Sequence, residues 1–290
     1  MPEAAITERL AAILQQGGLP PARHSSPLAG GDTGHSVKVT LEDNRTVFIK
    51  WADAAPGDIF TAEAAGLDAL RALVPLNLAR VPEVYHAATD GLVLEWLPPG
   101  ARQARYWERF GEALAAIHAE PQDHFGFARD NYCGLTPQPN PAMNDGYHFF
   151  AEARLQHQAK MARDRGRLSW SLCRKVDRLC ERLDRWIPTQ PPVLIHGDLW
   201  SGNAHVGPGG EPVLIDPAAH YGWAEADLAM TTLFGRFDPD FYSSYMQRTD
   251  IATDWEERAG LYNLYHLLNH LNLFGASYHS SVQQVLDRWT

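Results

Sequence analysis

The sequence predicts an α+β fold in two lobes: a small N-terminal lobe built on an antiparallel sheet with one helix, and a larger, mainly helical C-terminal lobe. Three observations carry this expectation. A chain of 290 residues, 45% of them hydrophobic, sits at the size where a single core tends to divide. Apolar runs of strand length dominate before residue 97 and helical stripes dominate after it. Between them Leu97-Pro98-Pro99-Gly100 forms a stiff break, which places the two lobes at residues 1–96 and 97–290.

In the first lobe, Ile6, Leu10, Ile13 and Leu14 recur at helical spacing over residues 3–16 and stop at Gly17-Gly18, which predicts a packing helix. A proline-rich loop follows. Gly30-Gly31-Asp32-Thr33-Gly34 then leads into Val37-Lys38-Val39-Thr40-Leu41, whose alternation is that of a half-buried strand. A glycine-rich turn lets backbone N–H groups approach phosphates, and an ordinary hairpin turn explains the same residues equally well. A second strand is expected at 46–51, with Lys50 near its end. The helix expected at 58–74 carries an apolar stripe of Phe60, Leu67, Leu70 and Val74, and Glu63 falls inside it. A carboxylate aimed at a core needs a cation, because an unpaired buried charge is costly, and Lys50 is the candidate. Leu92-Val93-Leu94-Glu95-Trp96 is the last apolar strand of this lobe.

Beyond the break, Trp107, Phe110, Leu114 and Ile117 step by 3, 4 and 3, as one helix face does. Residues 123–146 are irregular and rich in Phe, Asn and Pro, which favours a substrate wall. Helices are expected near 147–163 and 169–186 with their aromatics in the core, the second presenting Leu172, Val176, Leu179, Leu183 and Trp186 on one face. A last helix, near 255–273, holds His266 and His270 at a spacing that can bind zinc. No general-base Glu lies between them and no third ligand is evident, so ordinary imidazoles are preferred.

The chemistry concentrates in residues 193–217, VLIHGDLWSGNAHVGPGGEPVLIDP. Two apolar runs, Val193-Leu194-Ile195 and Val213-Leu214-Ile215, open respectively onto His196-Gly197-Asp198, with Asn203 beyond, and onto Asp216. Two carboxylates and an amide at strand ends suit a hard cation such as Mg2+, which prefers oxygen ligands. The pattern H-x-D-x4-N, with an aspartate thirteen residues after the asparagine, matches the loop order of protein kinases. In that scheme Asp198 takes the proton of the attacking hydroxyl, while Asn203 and Asp216 hold metal. A hairpin whose loop is merely rich in turn-forming residues is the alternative. The glycine turn and the Lys50–Glu63 pair lie upstream in the matching order, so three separate signals agree. On this arrangement the backbone of Glu95, Trp96 and Leu97 faces the adenine. His196 supports the loop, and Asp227 either caps the helix that begins there or braces the catalytic loop. Trp200, Trp223 and Glu225 are the candidates for meeting substrate, the last two at its amine.

The formal net charge of −10 and pI near 5.7 speak against nucleic acid or an anionic membrane and favour a cationic substrate. Cys133, Cys173 and Cys180 are too few for a disulfide framework, and neither a signal segment nor an apolar run of membrane length is present. A cytoplasmic monomer is the expectation.

Four segments, LIHGDLWSGN, VLIDPAAHYGWAEADLAMTTLFG, DNYCGLTPQPN and the early GGD turn, together resemble the fructosamine kinase (ketosamine 3-kinase) family. That family is related to aminoglycoside phosphotransferases and choline kinases within the protein-kinase-like fold. The resemblance runs from about Ile6 to the C-terminal helix. H-G-D-x4-N alone marks only the superfamily, whereas Trp200-Ser201-Gly202, the DLAMT run and Asn131-Tyr132 with Gln138 narrow it. The resemblance implies Asp198 as catalytic aspartate, Asn203 and Asp216 as magnesium ligands, Lys50 and Glu63 as the phosphate-positioning pair, and Gly30, Gly31 and Asp32 as the nucleotide turn. It implies ATP and Mg2+ as cofactors and a deglycating kinase of the sugar 3-hydroxyl of a ketosamine, such as fructosyl- or ribulosyl-lysine. Pro217-Ala218 stands where protein kinases have Phe-Gly, and the span before Asp227 is too short for a phosphorylatable activation loop. Three alternatives compete: a kinase of another amine-bearing alcohol (aminoglycoside, choline or amino sugar), a nucleotide-binding pseudokinase, and a metal hydrolase on His196 and the two aspartates.

Overall fold

Residues 3–28, 34–53 and 56–290 are described in the computed structural model, so Gly30, Gly31 and Asp32 lie outside the described residues. Helix α1 (Glu3–Gln16) buries Leu10, Ile13 and Leu14 in the N-terminal core. A five-stranded antiparallel sheet follows, made of β1 (Ala22–Pro27), β2 (His35–Leu41), β3 (Thr46–Trp51), β4 (Val84–Ala88) and β5 (Gly91–Glu95), in the order β1-β2-β3-β5-β4. Val37, Val39 and Leu41 point to the buried face of β2, as their alternation requires. Lys50 sits on the middle strand, opposite Ser36 of β2 and Leu92 of β5. Helix α2 (Ile59–Leu73) packs with Phe60, Leu67 and Leu70 inward.

Strands β1 and β4 were not expected. The first is a polar, mostly exposed edge strand that ends in Pro27 and is tied in by its ladder to β2. The second is half-buried at every position, so it carries no period of two.

The helical lobe begins with α3 (Tyr106–His118) and a small hairpin of β6 (Asn131–Cys133) and β7 (Thr136–Gln138). Helix α4 (Gly146–Phe149) runs through a π-helical turn (Phe150–Gln156) into α5 (His157–Asp164), and α6 (Trp170–Cys180) follows. Next come β8 (Val193–Ile195), β9 (Ala204–Val206), β10 (Pro212–Leu214) and β11 (His220–Gly222), then α7 (Ala224–Leu233), α8 (Pro239–Met246), α9 (Trp255–Phe274) and α10 (His279–Trp289). Helix α9 is the centre of this lobe, buried on nearly every side.

Two expectations need correction here. Helix α6 stops at Cys180, and neither Trp170 (66% exposed) nor Trp186 (43%) enters the core. Trp186 instead packs edge-on against Trp289, while Arg163 covers Trp170. Nor do the two apolar runs of the motif pair with each other: β8 pairs with β11 and β10 with β9. The simple hairpin is thereby excluded. Across the lobes, the Arg80 N–H donates to the Pro212 carbonyl and the Arg80 carbonyl accepts from Leu214 N–H, both at 2.9 Å. No helix among the described residues is long and apolar enough to cross a membrane.

Candidate active site

A cleft of about 630 Å³ opens beside β3, β5 and the loops after β8 and β10, and Lys50, Glu63, Asp198, Asn203 and Asp216 all line it. The Lys50 ammonium lies 2.5 Å from Glu63 Oε1 and 2.7 Å from Asp216 Oδ1. Burial alone would drive the proton off Lys50, but Asp216 and Glu63 outweigh it and hold its pKa above the ordinary lysine value. Lys50 in turn holds the Asp216 carboxyl below its usual range. Burial pushes Glu63 up to about 7, with Lys50 opposing and Asp216 adding to the shift. Asp216 is therefore an ionised carboxylate, and its side chain is half-exposed to the cleft. Its φ of 51° is an uncommon left-handed conformation, which aims the carboxylate back at Lys50.

Asp198 stands on the loop after β8. The Asn203 amide donates to its carbonyl (2.8 Å) and to its Oδ2 (3.2 Å), and reaches the Asp216 carbonyl at 3.4 Å. This leaves Asn203 Oδ1 as the atom to offer a cation. Burial and then Asp216 push the Asp198 carboxyl up to about 7, so it is poised to take and return a proton near neutrality. With Asp216 and Asn203, the donor set is all oxygen and suits Mg2+ held against phosphate.

The loop is braced from behind. Asp227 accepts the backbone N–H groups of His196 (2.6 Å) and Gly197 (2.9 Å), so it braces the loop and offers no cap to its own helix. His118 supports it from α3 (3.3 Å). His196 Nδ1 accepts the Asp198 N–H (3.3 Å), which leaves Nε2 to donate to the Ile215 carbonyl (3.0 Å). One neutral imidazole thus ties the two carboxylate-bearing loops together. Gly197 is required between them: its φ is 79°, and a Cβ there would sit 2.2 Å from the Ala218 carbonyl oxygen.

At the far end of the cleft, Glu95 pairs with Arg80, Lys38 lies over the Trp96 ring at 5.4 Å, and the Leu97 carbonyl accepts from His205 Nε2 (2.9 Å). His205 fixes the backbone of this segment and was not foreseen. Nor was His118, although a histidine ending the apolar run Leu114-Ala115-Ala116-Ile117 was a readable signal.

Of the substrate candidates, Trp200 lines the cleft and packs edge-on against Phe234. Trp223 and Glu225 do not reach it. Trp223 is 4% exposed within a cluster of Phe125, Tyr147, Phe150 and Tyr262. Glu225 is 1% exposed and doubly bonded to Arg258 (2.5 and 2.6 Å), so it has no freedom to meet an amine. The irregular stretch 123–146 also turns its amides inward. Asn131 donates to the Ala219 carbonyl (2.8 Å) and Gln138 to the Ala218 carbonyl (3.1 Å), which anchors the chain just after Asp216. Tyr132 and Gly134 remain at the edge of the cleft.

The comparisons with known proteins agree on one family. The sequence model described as fructosamine kinase matches residues 6–290. A Synechocystis protein provisionally named a ketoamine kinase is 42% identical over 252 residues, 86% of this chain and 84% of its own. The chloroplastic protein-ribulosamine 3-kinase of Arabidopsis thaliana is 35% identical over 254 residues, 84% of this chain and 76% of its own. A Thermobifida fusca crystal structure, provisionally named a fructosamine-3-kinase, superposes with a TM-score of 0.85 at 33% identity, covering 99% of this chain and 97% of that one. An ADP-bound aminoglycoside phosphotransferase superposes with a TM-score of 0.62 at 12% identity over 96% of both chains, a likeness of fold.

Proposed function

The chain belongs to the fructosamine kinase family of ATP-dependent phosphotransferases with an alcohol acceptor, and we propose that it phosphorylates the 3-hydroxyl of a ketosamine such as fructosyl- or ribulosyl-lysine. One observation carries the assignment of roles: Lys50, Glu63 and Asp216 meet within 2.7 Å at one wall of the cleft, and Asn203 joins Asp198 to that group.

Lys50, held by Glu63, grips the nucleotide phosphates, and the backbone of Glu95 to Leu97 receives the adenine. Asp216 and Asn203 would hold Mg2+, whose charge would offset that of the phosphates. Trp200 offers an aromatic face to the sugar. Asp198 orients the acceptor hydroxyl and accepts its proton as the oxygen bonds to the γ-phosphorus and the bond to the ADP oxygen breaks. Alignment and charge neutralisation supply most of such a reaction. The negative net charge supports a diffusible cationic ketosamine, or a glycated lysine, as the acceptor, and three cysteines without a disulfide support a reducing compartment such as the cytoplasm.

The test is Mg-ATP-dependent ADP release with fructosyl-lysine and ribulosyl-lysine beside kanamycin and choline. Turnover confined to the ketosamines and lost in Asp198→Asn is expected. Turnover confined to kanamycin or choline would overturn the substrate, and an equally active Asp198→Asn would overturn the base.

A further inference from the structure

At the Asp198 carboxylate oxygen that Asn203 leaves free, the fold brings two further side chains to Asp198, and the three share no sequence spacing. Cys133 comes from β6, Asp198 from the loop after β8 and His266 from the middle of α9. A ligand atom of each lies within 4.8 Å of the other two. Asp198 Oδ1 and His266 Nδ1 stand 3.8 Å apart, against roughly 3.3–3.9 Å for two ligands of one tetrahedral zinc ion. That distance is too long for a hydrogen bond. His266 is only 5% exposed, and its Nδ1 has no hydrogen-bond partner. A buried polar nitrogen left in this state is costly and calls for an occupant. Its neighbours on α9 each place an amide nitrogen, Asn263 on the Ala229 carbonyl, Asn269 on that of Cys133 and Asn272 on that of Gln158, although Asn263 Oδ1 and Asn272 Oδ1 also have no partner; of these unpaired atoms, only His266 Nδ1 stands beside a carboxylate and a thiol.

We propose that Cys133, Asp198 and His266 form a site for a thiophilic divalent cation of the Zn2+ class, and that its binding withdraws Asp198 from the acceptor hydroxyl and stops phosphoryl transfer. A thiolate, an imidazole and one carboxylate are the ligand types of zinc, with the fourth position left to water from the cleft. Mg2+ is discriminated against, because it takes oxygen ligands and sheds water reluctantly. One chain thereby carries two cation sites of opposite preference that meet at Asp198, the all-oxygen one activating and the mixed one inhibiting. His270, which the i, i+4 spacing pairs with His266, instead directs its Nδ1 to the His266 carbonyl (2.8 Å) and packs against Phe234 and Tyr278.

Binding is independent of the proposed function, whereas inhibition rests on Asp198 being the base, and the experiment separates the two. The metal-free protein is titrated with Cd2+, whose bond to a thiolate gives an ultraviolet charge-transfer band. Wild type and Cys180→Ser should give equal bands, and Cys133→Ser none. Zn2+ should inhibit turnover at saturating Mg-ATP, with Cys133→Ser retaining uninhibited turnover but needing about a hundredfold more Zn2+ to lose it. A missing wild-type band, or a band that survives Cys133→Ser, would overturn the site. A Cys133-dependent band with undiminished turnover would overturn the inhibition.

Discussion

Two inward-facing glutamates of this chain, the partly buried Glu63 on α2 and the buried Glu225 on α7, each meet a cation supplied by a distant segment, and only one of them faces the cleft. Glu225 and Arg258 form a closed pair. Two parallel hydrogen bonds of 2.5 and 2.6 Å join them, and Asp254 takes a further guanidinium nitrogen at 2.9 Å. Its work is to hold α7 to α9. Glu63 likewise shares its cation, the Lys50 ammonium, with a second carboxylate, so the charge count is the same in both groups; what differs is that Asp216 turns toward the cleft whereas the Glu225–Arg258 fork is enclosed. A carboxylate drawn inward therefore points to chemistry when the cluster it joins opens on a cleft, and to architecture when its cation's two-pronged fork is filled inside the protein.

The comparison breaks most visibly at Lys50. Lys50→Met should lower kcat/KM by about a thousandfold, because the lost charge acts on the transferring phosphate, and should cost less stability than loss of Arg258, because Asp216 is half-exposed and Glu63, already pushed up to about 7, can take a proton. An active Lys50→Met, or one that fails to fold, would make the two pairs alike. Arg258→Met should do the reverse. An orphaned Glu225 costs about 3–5 kcal/mol of stability, read by urea unfolding, and the protein that remains folded keeps its kcat. Adding Glu225→Leu should return much of the loss, since an apolar pair needs no desolvation of charge.

Asp198 sharpens the contrast through pH. Its folded pKa of about 7 is raised by burial and then by Asp216, whereas an unfolded aspartate titrates near 3.9. A raised carboxyl adds stability that is complete below the unfolded pKa and is lost as pH rises through the folded value. The neutral Asp198→Asn variant should therefore match wild type near pH 4 and exceed it by on the order of 2 kcal/mol above pH 7 without Mg2+, measured by urea unfolding across pH. In activity the sign is opposite: kcat/KM of wild type should fall as pH drops below about 7, because the base is then protonated.

What was legible in the sequence follows from distance along the chain. Asp198, Asn203 and Asp216 lie beside the ends of three short strands, β8, β9 and β10, within one short stretch of chain, so their spacing carried the geometry, and Glu63 announced itself as a charge inside an apolar stripe. Trp223 and Glu225 were misplaced because closeness in sequence to Asp216 was taken for closeness in space. Strand β11 and the start of α7 carry both into the core before the chain can return to the cleft. The edge strands β1 and β4 lacked alternation, whereas α8 and α10 were legible and were passed over: Asp238-Pro239 opens α8 ahead of Phe241, Tyr242 and Tyr245, and Val282, Val285, Leu286 and Trp289 form a stripe along α10. The Cys133–His266 meeting needed three elements to be folded first, which no local pattern encodes.

The smallest effect isolates burial from geometry. Arg236 and Glu256 repeat the two-pronged arrangement of Arg258 and Glu225, at 2.7 and 3.0 Å, but on the surface, where both side chains are about half exposed. Water already solvates each partner there, so removing one leaves no buried charge behind, and the gain from pairing is reduced by side-chain entropy and salt. Arg236→Gln should cost under about 1 kcal/mol and lose even that at high salt, against the several kcal/mol expected for Arg258→Met. Equal losses from the two substitutions would show that the hydrogen-bonded fork, and not its enclosure, sets the strength of the closed pair.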